Sequence, residues 1–322
     1  MEQLLLPPTN GIIPQQIPTI TTPFIMANTQ AVSMHDLEHQ HIIPVYVKDN
    51  EPLISHYDFV AAAWEVASHV YGDITDPQVR TSHPIKGRIP EARNKPAADL
   101  LDNERTLYYE RMMFIIDIPC NYDEVSGNTV SLTVGGVKAY NLDNLYNKKG
   151  APEHFKVFVG FKNSVCCNLC VSTDGLMADM RVTNHIDLHN QIYELLCRYN
   201  ALEHLKQMQS LPQYSLTEKQ FAQLIGRCRL YQHLSPVEKL QITPLTFGDQ
   251  QLNSICKDYY KDQSFCRGED GSINLWKLYN LFTSANKSSY IDSFLEKASC
   301  AESLVLSIKN AMDGKASSWF LQ

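Results

Sequence analysis

The chain lacks most of the signatures that would assign it a chemistry. It has no G-x-S-x-G turn, no Walker-type phosphate loop, and no cysteine placed at a helix start beside a basic residue, so nucleophilic and nucleotide-hydrolysing readings have nothing to stand on. No apolar run approaches the roughly 18 residues that a membrane span needs. The opening MEQLLLPPTN carries no basic stretch ahead of its three leucines, so no secretory signal is expected. No internal repeat is visible. The first 30 residues are almost without charge, Glu2 being the exception. The nine cysteines are odd in number and follow no disulfide framework, which points to reduced thiols and a cytoplasmic setting.

What is present suits a folded protein. Of 322 residues, 44% are apolar and 20% charged, which excludes global disorder and allows a sizeable core. The net charge of −7 is an ordinary solubility charge and argues against a wholly basic nucleic-acid coat. Residues 1–35 read as an extended arm. Prolines 7, 8, 14, 18 and 23 block helix, while isoleucines 12, 13, 17, 20 and 25 provide side chains to bury against this chain or a second copy. Residues 36–180 read as a sheet-containing core. Strands are expected at 41–49, 106–119, 129–137 and in the hairpin 155–175, with turns at 126–128 and 162–164, a helix over 57–71 closed by Gly72, and a proline-punctuated loop at 80–96. From residue 181 the apolar period becomes helical. The stripe Leu188, Ile192, Leu195, Leu196, Tyr199, Leu202, Leu205 is followed by a helix that Ser215 and Glu218 would cap, and by helices at 250–260, 273–282, 290–295 and 301–312. Strands first and helices after make the fold class α+β, mainly antiparallel sheet in the N-terminal half and a helical layer in the C-terminal half.

Two spacings invite a metal. Cys167, Cys170, His185 and His189 form C-x2-C-x14-H-x3-H, a zinc-compatible spacing. Against it, CCNLCV reads as strand, where residues three apart face opposite ways, and a chain this long needs no metal to fold. Buried thiols are the better reading, and no cofactor or metal is expected. The HDLEH at 35–39 matches a metallopeptidase pattern, but Pro44 stops any long helix. Gly135-Gly136 reads as a bulge, and the DGS at 270–272 as a turn without the alternate carboxylates of a calcium loop.

Charge placement says more. Residues 80–95 hold Arg80, Lys86, Arg88, Arg93 and Lys95 against the single carboxylate Glu91, and Lys138, Lys148 and Lys149 lie beside Tyr140 and Tyr146. Cations that track phosphates beside rings that stack on bases suit single-stranded DNA.

The segments EHQHIIPVYVKDNEPLISHYDF, GRIPEA, YYERMMFIIDIP, VGGVKAYNLDNLY, HFKVFVGFKN, VCCNLCVSTDG, QFAQLIGRCRLY and INLWKLYNLFTSANKSSYID resemble a bacterial family of unknown function whose members are close to this length. The part from YYERMMFIIDIP to VCCNLC also resembles, more loosely, an uncharacterised phage- or plasmid-like family. The resemblance implies carriage on mobile genetic elements and supplies no catalytic residues. The expectation is a non-catalytic DNA-transaction protein that binds single-stranded DNA weakly. The alternatives are an oligomeric scaffold or host-modulating interaction protein, assembling through the N-terminal arm, and a zinc-dependent enzyme.

Overall fold

The computed structural model describes residues 23–44, 53–143 and 151–322. In chain order its elements are β1 (Thr29–Val32), α1 (Met34–His39), α2 (His56–Tyr71), β2 (Gln78–Ser82), β3 (Pro84–Arg88), β4 (Arg105–Tyr109), β5 (Arg111–Val125), β6 (Asn128–Ala139), α3 (Tyr140–Asp143), β7 (Glu153–Asn163), β8 (Leu169–Cys170) and β9 (Leu176–Val182). There follow α4 (His185–Arg198), α5 (Ala201–Ser210), β10 (Ser215–Leu216), α6 (Glu218–Tyr231), α7 (Pro236–Lys239), α8 (Asp249–Lys261), β11 (Ile273–Asn274), α9 (Leu275–Asn286) and α10 (Ile291–Met312).

The main sheet is antiparallel in the order β1-β2-β5-β6-β7-β8, with β9 also paired to β7. Its spine is the β5–β6 hairpin, closed by Ser126 and Gly127, both at positive φ (50° and 77°), as a two-residue turn of matching twist requires. The two-residue period decides which face each side chain joins. Met112, Phe114, Ile116 and Ile118 of β5 enter a core shared with α2, α4, α5, α6, α8 and α9. Met113 and Ile115 point the other way, into a smaller cluster with Phe158 and with Ile291, Phe294, Leu295 and Ala298 of α10. The class is therefore α+β, sheet first and helices after.

Several expectations need correction. The sheet runs past both ends of the expected 41–175, because β1 joins one edge and β9 follows the Asp174-Gly175 turn. Beyond residue 190, β10 and β11 form a separate ladder of two residue pairs, apart from the main sheet. Residues 80–96 are not a plain loop. Residues 78–82 add to the sheet, and 84–88 pair with 105–109 as a ribbon of their own, because the proline at 84 heads a strand and the one at 90 opens a 3-10 turn. Residues 41–44 carry no strand, and the rest of the expected strand 41–49 lies outside the described residues. Helix α6 is capped by Thr217 with Gln220, two residues on from the expected box, while Ser215 is spent in β10. The last two expected helices are one, α10. Gly135 and Gly136 sit in regular register with Ile115 and Phe114, not in a bulge. They are glycines for closeness: a Cβ on Gly136 would come 2.6 Å from the Phe59 ring and 2.8 Å from Lys156 O. The register shifts of this sheet lie elsewhere, between Ile118 and Tyr122 of β5 and between Phe155 and Val157 of β7.

Most of the arm, residues 1–22, lies outside the described residues. Where the description begins, Phe24 and Ile25 are buried with Met113, Ile115 and Phe294, and Met26 N–H donates to Lys287 O at 2.8 Å.

Candidate functional site

The residues expected to form one basic surface divide between two places. Arg80, in β2, spends its guanidinium on Thr29, donating to Oγ1 and to the carbonyl oxygen at 2.8 Å each. Lys86, Arg88, Arg93 and Lys95 belong to the β3–β4 ribbon and its connecting turns, which pair with no other strand. In that register Arg88 stands opposite Arg105 and Lys86 opposite Leu107, so Lys86, Arg88 and Arg105 share one face. Arg105 is answered by Asp102 at 2.8 Å, and Lys95 by Glu104. Arg88 donates only to the carbonyl oxygens of Arg93 and Lys95. Lys86 is exposed and has no ion-pair partner among the described residues. The connecting loop also carries Glu91, Asp99, Asp102 and Glu104, so the excess of cations in 80–95 is largely offset once the hairpin returns.

Lys138 and Tyr140 are not on this surface. Both are fully buried, which corrects the expectation that they reach a nucleic acid. They sit where the ends of β4, β6 and β7 meet the start of α2. Lys138 follows Val130, Leu132, Val134 and Gly136 at the same parity of β6, and so points into the core. There its ammonium donates to Glu153 Oε2 at 2.7 Å, lies 3.5 Å from Asp143 Oδ2, and stands 3.8 Å from the centre of the Phe155 ring. Glu153 Oε1 accepts from the backbone N–H groups of Leu53 and Ile54 at 2.8 and 3.0 Å, and Asp143 Oδ1 from His154 N–H at 2.8 Å. Burial pushes the Asp143 carboxyl above its ordinary range, with Lys138 opposing. Lys148 and Lys149, and Tyr146 with them, lie outside the described residues.

Beside the lysine, His41, His56 and Tyr140 stack, with ring centres 4.7 Å apart for the two histidines and 4.5 Å for His56 and Tyr140. His41 Nε2 lies 3.1 Å from Tyr140 Oη. Desolvation, reinforced by Lys138, lowers His41 to about 4. His56 is driven well below its ordinary value by its own burial and then by His41. Both rings are therefore neutral at pH 7, and the cluster is a fixed array of donors and acceptors. The residues missed from sequence are His41, His56, Asp143 and Glu153. One signal was available: a lysine at an inward parity of an otherwise apolar strand demands a carboxylate partner.

The zinc spacing does not converge. Residues 164–166 form a turn, and Cys167 takes a left-handed φ of 55°, so the strand expected across CCNLCV begins only at Leu169. Cys170 is buried opposite Phe161. His185 and His189 lie on α4, where His189 approaches Glu65 of α2 at 3.2 Å. Among the described residues no group of His, Cys, Asp or Glu could hold a metal ion. The cysteine segment is instead held by amides. Asn168 donates to Asn280 O at 3.1 Å, Asn163 to Asn280 Oδ1 at 3.2 Å, and the buried Lys287 to Cys166 O. His35 and His39 of the HDLEH segment stack on each other, 4.2 Å apart, on a six-residue exposed helix. Among the described residues no helix is long and apolar enough to cross a membrane.

A family model described as "Domain of unknown function, B. Theta Gene description (DUF3871)" matches residues 8–321. No curated protein and no solved structure matches the chain.

Proposed function

The chain belongs to this bacterial family of unknown function, and from that premise we propose that it is a non-catalytic DNA-transaction protein whose working element is the β3–β4 ribbon. The observation that carries the reading is the ribbon face bearing Lys86, Arg88 and Arg105, with two of its cations, Lys86 and Arg88, unmatched by a carboxylate among the described residues. A two-stranded ribbon free of the main sheet is a shape that reaches a nucleic-acid backbone, and a few cations give weak, sequence-independent attraction. The ligand of this reading is single-stranded DNA. The setting is the cytoplasm of a bacterium, with the gene carried on a plasmid, phage or integrative element. Anisotropy of a labelled oligonucleotide at low and moderate salt tests it. Two or three phosphate contacts give a log–log salt slope of about −2. Lys86→Glu is expected to abolish binding and Lys86→Arg to retain it. Equal binding by wild type and Lys86→Glu would remove the proposal.

A second reading, an oligomeric interaction protein, is favoured by Val237 and Leu240. They lie three residues apart at α7 with 75% and 84% of their surfaces exposed. Its test is the mass in solution of wild type against Val237→Ser/Leu240→Ser. A monomer in both cases would discard it.

A further inference from the structure

Two imidazoles hold the backbone of one residue, Tyr109, at the end of β4. Tyr109 N–H donates to His41 Nδ1 at 3.2 Å, and His56 Nε2 lies 2.6 Å from Tyr109 O. An accepting nitrogen must hold a bare lone pair, so His41 carries its proton on Nε2, the nitrogen facing Tyr140. A nitrogen facing a carbonyl must carry hydrogen, so His56 is protonated on Nε2. Its Nδ1 is then a bare lone pair, buried and without a hydrogen-bond partner among the described residues.

We propose that this pair is an acid-operated latch: a proton taken up at Nδ1 of His41 or of His56 releases residues 41–44 and the first turn of α2 from β4. At His41 the arriving proton points at the Tyr109 N–H, so the bond that accepted it becomes a clash of two donors. The next bond along the strand, Ile42 N–H to Leu107 O at 2.9 Å, is then the remaining backbone tie between this segment and β4. At His56 the new N–H finds no acceptor among the described residues.

The surroundings oppose a second positive charge from every side. Lys138 of β6 opposes a positive charge on both rings. Glu153 of β7 and Asp143 of α3 are committed to Lys138 and to backbone N–H groups. Tyr140 of α3 and Tyr109 of β4 are neutral phenols. Glu110, next along β4, pairs with Arg111, and Asp36 of α1 is bound to Ser33 and Gln40. His154 of β7 is engaged by Asp179. Among the described residues these carboxylates are already committed to other partners. The latch therefore holds at neutral pH and loosens as pH falls from 6.5 toward 4.

The experiment combines histidine titration by NMR with amide exchange, on wild type and on His41→Asn/His56→Gln. The asparagine amide oxygen replaces His41 Nδ1 as acceptor, the glutamine amide nitrogen replaces His56 Nε2 as donor, and neither takes a proton. In wild type, protection of the Tyr109 and Ile42 amides is expected to fall about tenfold or more between pH 7 and pH 4.5, relative to amides of α10. The variant should hold its protection across that range. A His41 that titrates near 6.5 while Tyr109 stays protected would overturn the proposal, as would a variant that loosens at the same pH as wild type. Should the variant not fold, the wild-type titration and exchange decide alone.

Discussion

Replacing Lys138 by methionine tests the reading of the buried cluster most directly. The substitution keeps most of the volume of the side chain and removes the ammonium, with its charge and its hydrogen bond to Glu153. It leaves Glu153 and Asp143 facing each other in a space where neither is more than a tenth exposed. Breaking a buried ion pair from one side costs about 3–5 kcal/mol, because the stranded charge must be protonated or hydrated. Glu153 keeps its two backbone donors, Leu53 and Ile54, which places the cost toward the lower end of that range. Against a typical total of roughly 5–15 kcal/mol, this is a large fraction of the stability. Urea unfolding near pH 7 reads it as a lowered midpoint with an unchanged slope. The double substitution Lys138→Met/Glu153→Gln removes both charges and is expected to be about 1–3 kcal/mol more stable than the sum of the two single changes. A Lys138→Met protein within about 1 kcal/mol of wild type would refute the argument, since that is the size of an exposed pair.

Other outcomes follow from the same coordinates. His41 has a depressed value of about 4 in the folded chain against 6.5 unfolded, so its contribution is complete above 6.5 and is lost as pH falls through 4. Denaturation midpoints across that window should lose about 3 kcal/mol in wild type and far less in His41→Asn. Gly136→Ala forces a Cβ against Phe59 and Lys156 O and is expected to cost about 1–3 kcal/mol, while Gly226→Ala, in α6 with nothing within 4 Å, should raise stability by about 0.5–1 kcal/mol; thermal unfolding of both separates them. A thiol reagent should find Cys120 and Cys197 quickly in the native protein and reach Cys170 and Cys228 only on unfolding, because burial both hides those two thiols and pushes them up. Early labelling of Cys170 would contradict the packing described for β8.

The sequence by itself determined the order of sheet and helices, because the change of apolar period near residue 181 is a local property of the chain. It determined a helix over 57–71, found at 56–71, and its stop at Gly72, which takes a positive φ of 81°, and the turn at Ser126-Gly127. What only the tertiary structure decided was the fate of the polar residues. Lys86 and Lys138 look alike as cations in the sequence, yet one is exposed and the other is enclosed with Glu153, 15 positions along the chain. His41 in the segment after α1, His56 of α2 and Tyr109 of β4 are far apart in sequence and meet only when α2 closes over the ends of β4, β6 and β7. The spacing of Cys167, Cys170, His185 and His189 fits a metal on paper, but one half is built into a turn and the sheet while the other lies along a helix against α2. Charge and period are written residue by residue. Burial and partnership depend on residues distant in sequence, and those set whether a lysine binds a ligand or closes a core.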